Sequence, residues 1–131
     1  MAKYTITHGC GCTTEINLYG PHSDRDRKIA TLERLPCTDC KAREIATSDR
    51  PFEGSSKQII WAAEIRRQFD TVAADLKARG AANADHPAVV RTFALIDDDA
   101  ARTSARWWID NQHYFASART YLEWLKSRVD A

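Results

Sequence analysis

Four cysteines crowd into the first 40 residues of a 131-residue chain. Cys10 and Cys12 stand in His-Gly-Cys-Gly-Cys, and Cys37 and Cys40 in Pro-Cys-Thr-Asp-Cys. The pattern is C-x-C, 24 residues, then C-x2-C. Two short chelating loops of this kind each offer two thiolates to a tetrahedral zinc ion with little chain entropy lost. Gly9 and Gly11 bracket Cys10, which suits a tight turn whose amides approach the sulfurs. Pro36 sets the entry to the second loop, and Lys41 and Arg43 follow closely enough to offset thiolate charge. The expected chemistry is one structural Zn²⁺ held by Cys10, Cys12, Cys37 and Cys40.

Other readings compete with it. Disulfide frameworks belong to secreted chains, and no charged-then-apolar leader opens this sequence, which predicts a cytoplasmic protein. Iron knuckles usually repeat the x2 spacing, and Cys10-x-Cys12 is one residue short of it. The same shortness makes His8 an alternative ligand: His8 with Cys10, or Cys10 with Cys12, completes a two-ligand loop. A cysteine at position 12 is hard to explain otherwise. His22, next to Pro21, reads as a surface turn residue.

The flanks must position these loops. From Lys3 to His8, Tyr4 and Ile6 alternate with Lys3, Thr5 and Thr7, a strand period. Thr13 to Tyr19 alternates again through Ile16 and Leu18, and Gly20-Pro21 ends it. Ser23 to Leu35 then places Ile29, Leu32 and Leu35 on one side of a short helix, capped by Ser23 or Asp24. A helix therefore separates the two cysteine loops of a head spanning residues 1–46.

Strand, cysteine loop, return strand and second cysteine loop resemble a zinc ribbon. Together with Gly54-Ser-Ser-Lys-Gln-Ile-Ile-Trp-Ala-Ala-Glu-Ile-Arg66 and Ala105-Arg-Trp-Trp-Ile-Asp-Asn111, the chain is similar to a set of small, largely uncharacterised bacterial proteins with a zinc-ribbon-like head. In that set the first loop often reads Cys-Gly-His where this chain has Cys10-Gly11-Cys12. Both residue types ligate zinc, so the resemblance implies a ligand at position 12. It carries no activity with it.

Residues 47–57 form a polar connector, read as a hinge. Ser55 with Gln58 fits a capping box, and Ala62, Ile65, Phe69, Val72 and Leu76 then recur at helical spacing until Gly80. Pro87 opens a second helix with Val89, Val90, Phe93 and Ile96. The run Asp97-Asp98-Asp99 stops it and reads as a solvated helix end, because successive helical side chains splay ~100° apart. Thr103 or Ser104 caps a third helix, and Ala118, Tyr121, Leu122, Leu125 and Val129 mark a fourth. The expected fold class is α+β: a small zinc-ribbon-like β head with an inserted helix, packed on a C-terminal bundle of three or four helices over residues 58–131.

Adjacent Trp107 and Trp108 cannot both fill a narrow core stripe. With Arg106 and His113 they form a candidate partner-binding surface, since Trp is a favoured interface anchor. Trp61 and Trp124 read as core. Asp110 and His113 share a face if the helix continues, which could orient a histidine base. No Ser or Cys motif supplies a nucleophile, and no Gly-rich loop cradles phosphate.

Composition bounds the rest. Hydrophobic residues make up 44%, and 19 basic against 18 acidic residues leave a formal charge of +1, which excludes disorder. No apolar run approaches the ~18–20 residues of a membrane span. Residues 1–46 hold seven basic and six acidic residues, and residues 47–131 twelve of each. Four thiolates and one dication take the formal +1 to −1. Nucleic-acid binders draw most of their affinity from basic excess, so another protein is the expected partner and a regulatory or interaction module the expected role. A nucleic-acid-binding regulator using Arg25, Arg27, Lys28 and Arg34 is the alternative, and a small enzyme using Asp110 and His113 a further one.

Overall fold

In the computed structural model, which describes residues 2–130, the alternation at the N-terminus becomes an antiparallel hairpin of β1 (Ala2–Thr7) and β2 (Thr13–Leu18). Tyr4 pairs with Ile16 and Ile6 with Thr14, so the apolar side chains of both strands share one face. Ile6 and Leu18 on that face are buried. On the other face Lys3 and Glu15 form an exposed ion pair at 3.2 Å. The turn joining the strands, residues 8–12, is the first cysteine loop.

Helix α1 (His22–Arg34) follows. Its N-cap is Pro21, with no side-chain cap bond, so Ser23 and Asp24 are not the caps they were expected to be. They lie in the first turn, where the Asp24 carboxylate complements the helix dipole. Helix α1 packs against β1. Tyr4 accepts a hydrogen bond from Arg25 at 3.2 Å. The second cysteine loop runs directly into helix α2 (Thr38–Ala46), for which periodicity offered no sign. The hairpin, α1 and most of α2 make up the first of two compact units, Met1–Glu44 and Ile45–Ala131.

The second unit is helical. Helix α3 (Ser56–Gly80) starts at the expected capping box, with the Ser55 hydroxyl accepting from the Gln58 amide and the Gln58 side chain accepting from the Ser55 amide. Helix α4 (Pro87–Ala100) starts behind His86, helix α5 (Ala105–Asp110) behind Ser104, and helix α6 (Ala118–Val129) behind Ser117. Phe69 of α3 sits at the middle of the core. It meets Trp108, Phe115 and Tyr121 edge-on at centroid distances of 5.0, 5.2 and 5.5 Å. Gly80 does not end α3 through a left-handed turn, since its φ is −87°. It is required because the Phe93 ring lies 2.8 Å from where a Cβ would stand.

Three expectations fail here. The connector is not a free hinge: Phe52 is buried under the Arg66 guanidinium, and Arg50 grips Asp70 through two hydrogen bonds of 2.9 and 3.0 Å. Glu53 also pairs with the backbone beside Ser104, through bonds of 2.7 and 2.9 Å. Trp61 is not core, being 47% exposed on the outer side of α3. The Asp97–Asp99 run does not end α4 in solvent. The helix continues to Ala100, and Asp99 is fully buried. No helix among the described residues is long and apolar enough to cross a membrane.

Candidate metal centre

The hairpin and the α1–α2 junction bring the two cysteine loops together. In the first loop the His8 amide donates to the Cys12 carbonyl at 2.8 Å and the Gly11 amide to the His8 carbonyl at 2.9 Å. Gly11 closes this turn at φ +89°, a conformation costly to any residue with a Cβ. The Gly9 amide donates to the Leu35 carbonyl at 2.9 Å, and a Cβ on Gly9 would stand 2.7 Å from the Arg34 carbonyl oxygen. Gly9 thus lets the first loop lie against the end of α1, just ahead of the second loop. There the Cys37 carbonyl accepts the first helical bond of α2, from Lys41 at 3.0 Å, which places Cys40 in the first turn. Thiolates at a helix N-terminus are favoured by the dipole.

One sulfur from each cysteine, Cys10, Cys12, Cys37 and Cys40, lies within 4.8 Å of the other three. The Cys12 and Cys40 sulfurs are 3.6 Å apart. Sulfurs bound at ~2.3 Å to a tetrahedral ion stand about 3.8 Å from one another, so the cluster can close on one metal ion. Two backbone amides already point at sulfurs, Cys37 N–H at Cys10 Sγ (3.3 Å) and Cys40 N–H at Cys37 Sγ (3.5 Å). Such donors hold ligating sulfurs in place and offset their charge.

The electrostatics of the free thiols agree. The Cys37 amide, followed by that of Cys12, holds the Cys10 thiol down to about 6. The hydrogen bond to Cys37 pushes Cys40 up to about 12, with Cys12 and Cys10 adding to the push. Cys12 feels its largest single pull downward from Cys40, but the Cys10 and Cys37 sulfurs together outweigh it and its thiol is raised. One thiolate forms readily, and its neighbours then resist further negative charge. A cation among them removes that resistance.

His8, the alternative ligand, is not in the cluster. Its Nδ1 lies 3.1 Å from the Leu32 carbonyl oxygen and its Nε2 2.7 Å from Thr14 Oγ1, so both ring nitrogens are engaged. The buried imidazole fastens α1 to β2 instead. An open pocket of about 520 Å³ borders the centre, with Cys12, Cys37 and Cys40 on its wall beside Asp39 and Arg43.

The second group of candidates is dispersed. Trp108 is wholly buried, with its indole N–H donated to the Arg102 carbonyl at 3.0 Å, so it is withdrawn from any contact surface. Trp107 is half-buried, between Trp108 and Trp124 and beneath the Arg102 guanidinium. Helix α5 ends at Asp110, and residues 112–115 form a tighter 3-10 turn, so Asp110 and His113 do not share a helical face. Asp110 pairs with Arg106 at 3.6 Å, and His113 packs on Tyr114 at 4.0 Å. On α1, Arg25 is half-buried against Tyr4, leaving Arg27, Lys28 and Arg34 as the exposed bases of the suggested basic face.

One constellation was not foreseen. Asp99 accepts from both guanidinium nitrogens of Arg128 at 2.7 and 2.9 Å and from the Tyr121 hydroxyl at 2.6 Å. The signal was present, because Asp99 continues the Thr92–Ile96 stripe of α4, and Tyr121, Leu125 and Arg128 follow one another along α6. Compared with protein families, with curated proteins and with solved structures, the chain finds no match in any of the three.

Proposed function

We propose that the chain is a non-enzymatic zinc-binding protein, in which Cys10, Cys12, Cys37 and Cys40 hold one structural Zn²⁺. The observation that carries this is the convergence of the four sulfurs within 4.8 Å, with the Cys12–Cys40 distance near the edge of a zinc–thiolate tetrahedron. An all-sulfur donor set with no open position is the mark of a structural site, whereas catalytic zinc keeps one position for water. The short Cys10-x-Cys12 loop favours zinc over iron. The role that fits such a head is an interaction or regulatory module with another protein as partner. The balanced charge supports that choice, and so does Trp61, an exposed aromatic of the kind that anchors protein interfaces.

The test is metal content. Protein purified without added metal, then denatured in the presence of a chromogenic chelator, is expected to release one zinc per chain. Cys12→Ala lowers that to zero, and His8→Gln leaves it at one. A folded, metal-free chain overturns the proposal, and iron in place of zinc overturns the choice of ion.

A further inference from the structure

In the helical unit, the end of α3, the first half of α4 and the last two turns of α6 do not close on one another. Between them lies a pocket of about 340 Å³, within the size range of small-molecule sites. Its wall is almost entirely hydrocarbon: Leu76, Val89, Phe93, Leu122 and Val129. Leu76 is buried, while the other four are only half-buried and leave apolar surface in contact with water. Gly80 shapes the floor, since without its Cβ the Phe93 ring can lie against the end of α3. Helix α4 is held in place from elsewhere, by the Lys77–Asp97 ion pair and by Asp99 with Arg128.

Among the described residues, charge on the lining comes only from Arg79, Lys126 and Asp130. Two cations against one anion give this part of the pocket a positive balance. Arg79 is engaged by Asp75 through one nitrogen at 2.9 Å. Lys126 forms no ion pair among the described residues, so its ammonium is the cation at hand for a ligand. A hydrocarbon cavity with a net cationic lining at one part fits a molecule that is apolar along its body and anionic at one end. We propose that this pocket binds a straight-chain aliphatic carboxylate, with the alkyl chain between Val89, Phe93, Leu122 and Val129 and the carboxylate against Lys126. This site is separate from the cysteine centre and stands or falls without it.

The probes are octanoate, decanoate and dodecanoate at concentrations below micelle formation, titrated calorimetrically into the full metal-loaded chain. Decanol and decyltrimethylammonium serve as the neutral and cationic comparisons. Saturable binding of one carboxylate per chain is expected, with decanol weaker and the cation weaker still. Lys126→Gln is expected to weaken decanoate by about threefold, the size of a partly exposed ion pair, and to leave decanol unchanged. Asp130→Asn is expected to strengthen decanoate. Val129→Trp or Leu122→Phe, which fill the cavity from two different positions, are each expected to abolish binding while the melting transition is kept. Absent or unsaturable carboxylate binding overturns the site. Binding that survives both cavity-filling variants overturns its location, and equal binding of decanol and decanoate overturns the anionic end.

Discussion

Arg128 of α6 holds Asp99 of α4 with both ends of its guanidinium, at 2.7 and 2.9 Å, and the carboxylate it holds is completely buried. The Tyr121 hydroxyl completes the carboxylate's hydrogen bonding at 2.6 Å, and the Arg128 guanidinium rests on the Trp124 ring at 4.3 Å. A buried charge is tolerable only when its oxygens are satisfied, and here three donors satisfy them. Removing one partner strands the other. Asp99→Ala or Arg128→Ala is therefore expected to destabilise the helical unit by about 3–5 kcal/mol, measured by urea unfolding. The double replacement Asp99→Leu with Arg128→Met should lose much less than the sum of its parts.

Tyr121 gives a spectroscopic handle on the same cluster. Burial first, then its bond to the Asp99 carboxylate, raises the phenol far above the ordinary tyrosine range. A group whose folded value is raised contributes stability that is fully present below its unfolded value, ~10 for tyrosine. That stability is lost as pH climbs beyond it. In an alkaline titration followed by phenolate absorbance, the Tyr121 signal is expected to emerge only together with unfolding. Tyr121→Phe should remove that late component.

Metal removal should act on one unit and be silent in the other. All four tryptophans lie in residues 45–131, and all four cysteines in residues 1–44. Chelation is expected to loosen the hairpin and helices α1 and α2, since metal binding and folding are coupled in such sites. Far-UV circular dichroism should report that loss. Near-UV signals from the Phe69–Trp108 cluster should persist.

The free thiols should differ sharply in reactivity. In the fraction of stripped chain whose head keeps its fold, Cys10, held down to about 6 by the Cys37 amide, is ionised at neutral pH. Cys40, pushed up to about 12, is not. An alkylating agent at pH 7 is expected to modify Cys10 first, as peptide mass spectrometry can resolve. The rate should fall as pH drops below 6, and the fast phase should vanish in Cys10→Ser.

Two glycines of one loop should fail for different reasons. Gly11→Ala meets open space but keeps a left-handed φ of +89°, a strain of about 1–2 kcal/mol. Gly9→Ala drives a methyl to 2.7 Å from the Arg34 carbonyl oxygen, which forces the first loop away from the second. Gly9→Ala is expected to lower metal affinity more than Gly11→Ala does, in a competition titration against a calibrated chelator.

Much of this architecture is legible in residue order, because it rests on local chemistry. Alternation made the hairpin visible, the Ser55–Gln58 box marked the start of α3, and paired cysteine spacing marked the metal cluster. What was hidden depends on partners distant in sequence. Nothing near His8 shows that its two nitrogens are taken by Leu32 and Thr14, so it remained a ligand candidate until they were placed. Asp99 looked like one of three solvated carboxylates because Arg128 lies 29 residues away. Trp61 looked like core because a tryptophan in an amphipathic helix usually is, yet the apolar stripe of α3 runs through Ala62 and Ile65 and leaves position 61 outside. Trp61→Ala should accordingly shift stability by no more than about 0.5 kcal/mol. Trp108→Ala should lose about 3–5 kcal/mol.

Helix α1 has no fully buried residue along its 13 positions. A helix that short is marginal in water by itself, and this one is tied at its far end to the first cysteine loop, by the Gly9 amide on the Leu35 carbonyl at 2.9 Å and by His8 on the Leu32 carbonyl at 3.1 Å. It also carries four trypsin sites, Arg25, Arg27, Lys28 and Arg34. An ion held by the four cysteines of that loop pair would therefore shield the chain from cleavage. Loaded protein should survive limited digestion whole, and stripped protein should be clipped within α1, so that a protease reads the metal status of the molecule as its lifetime.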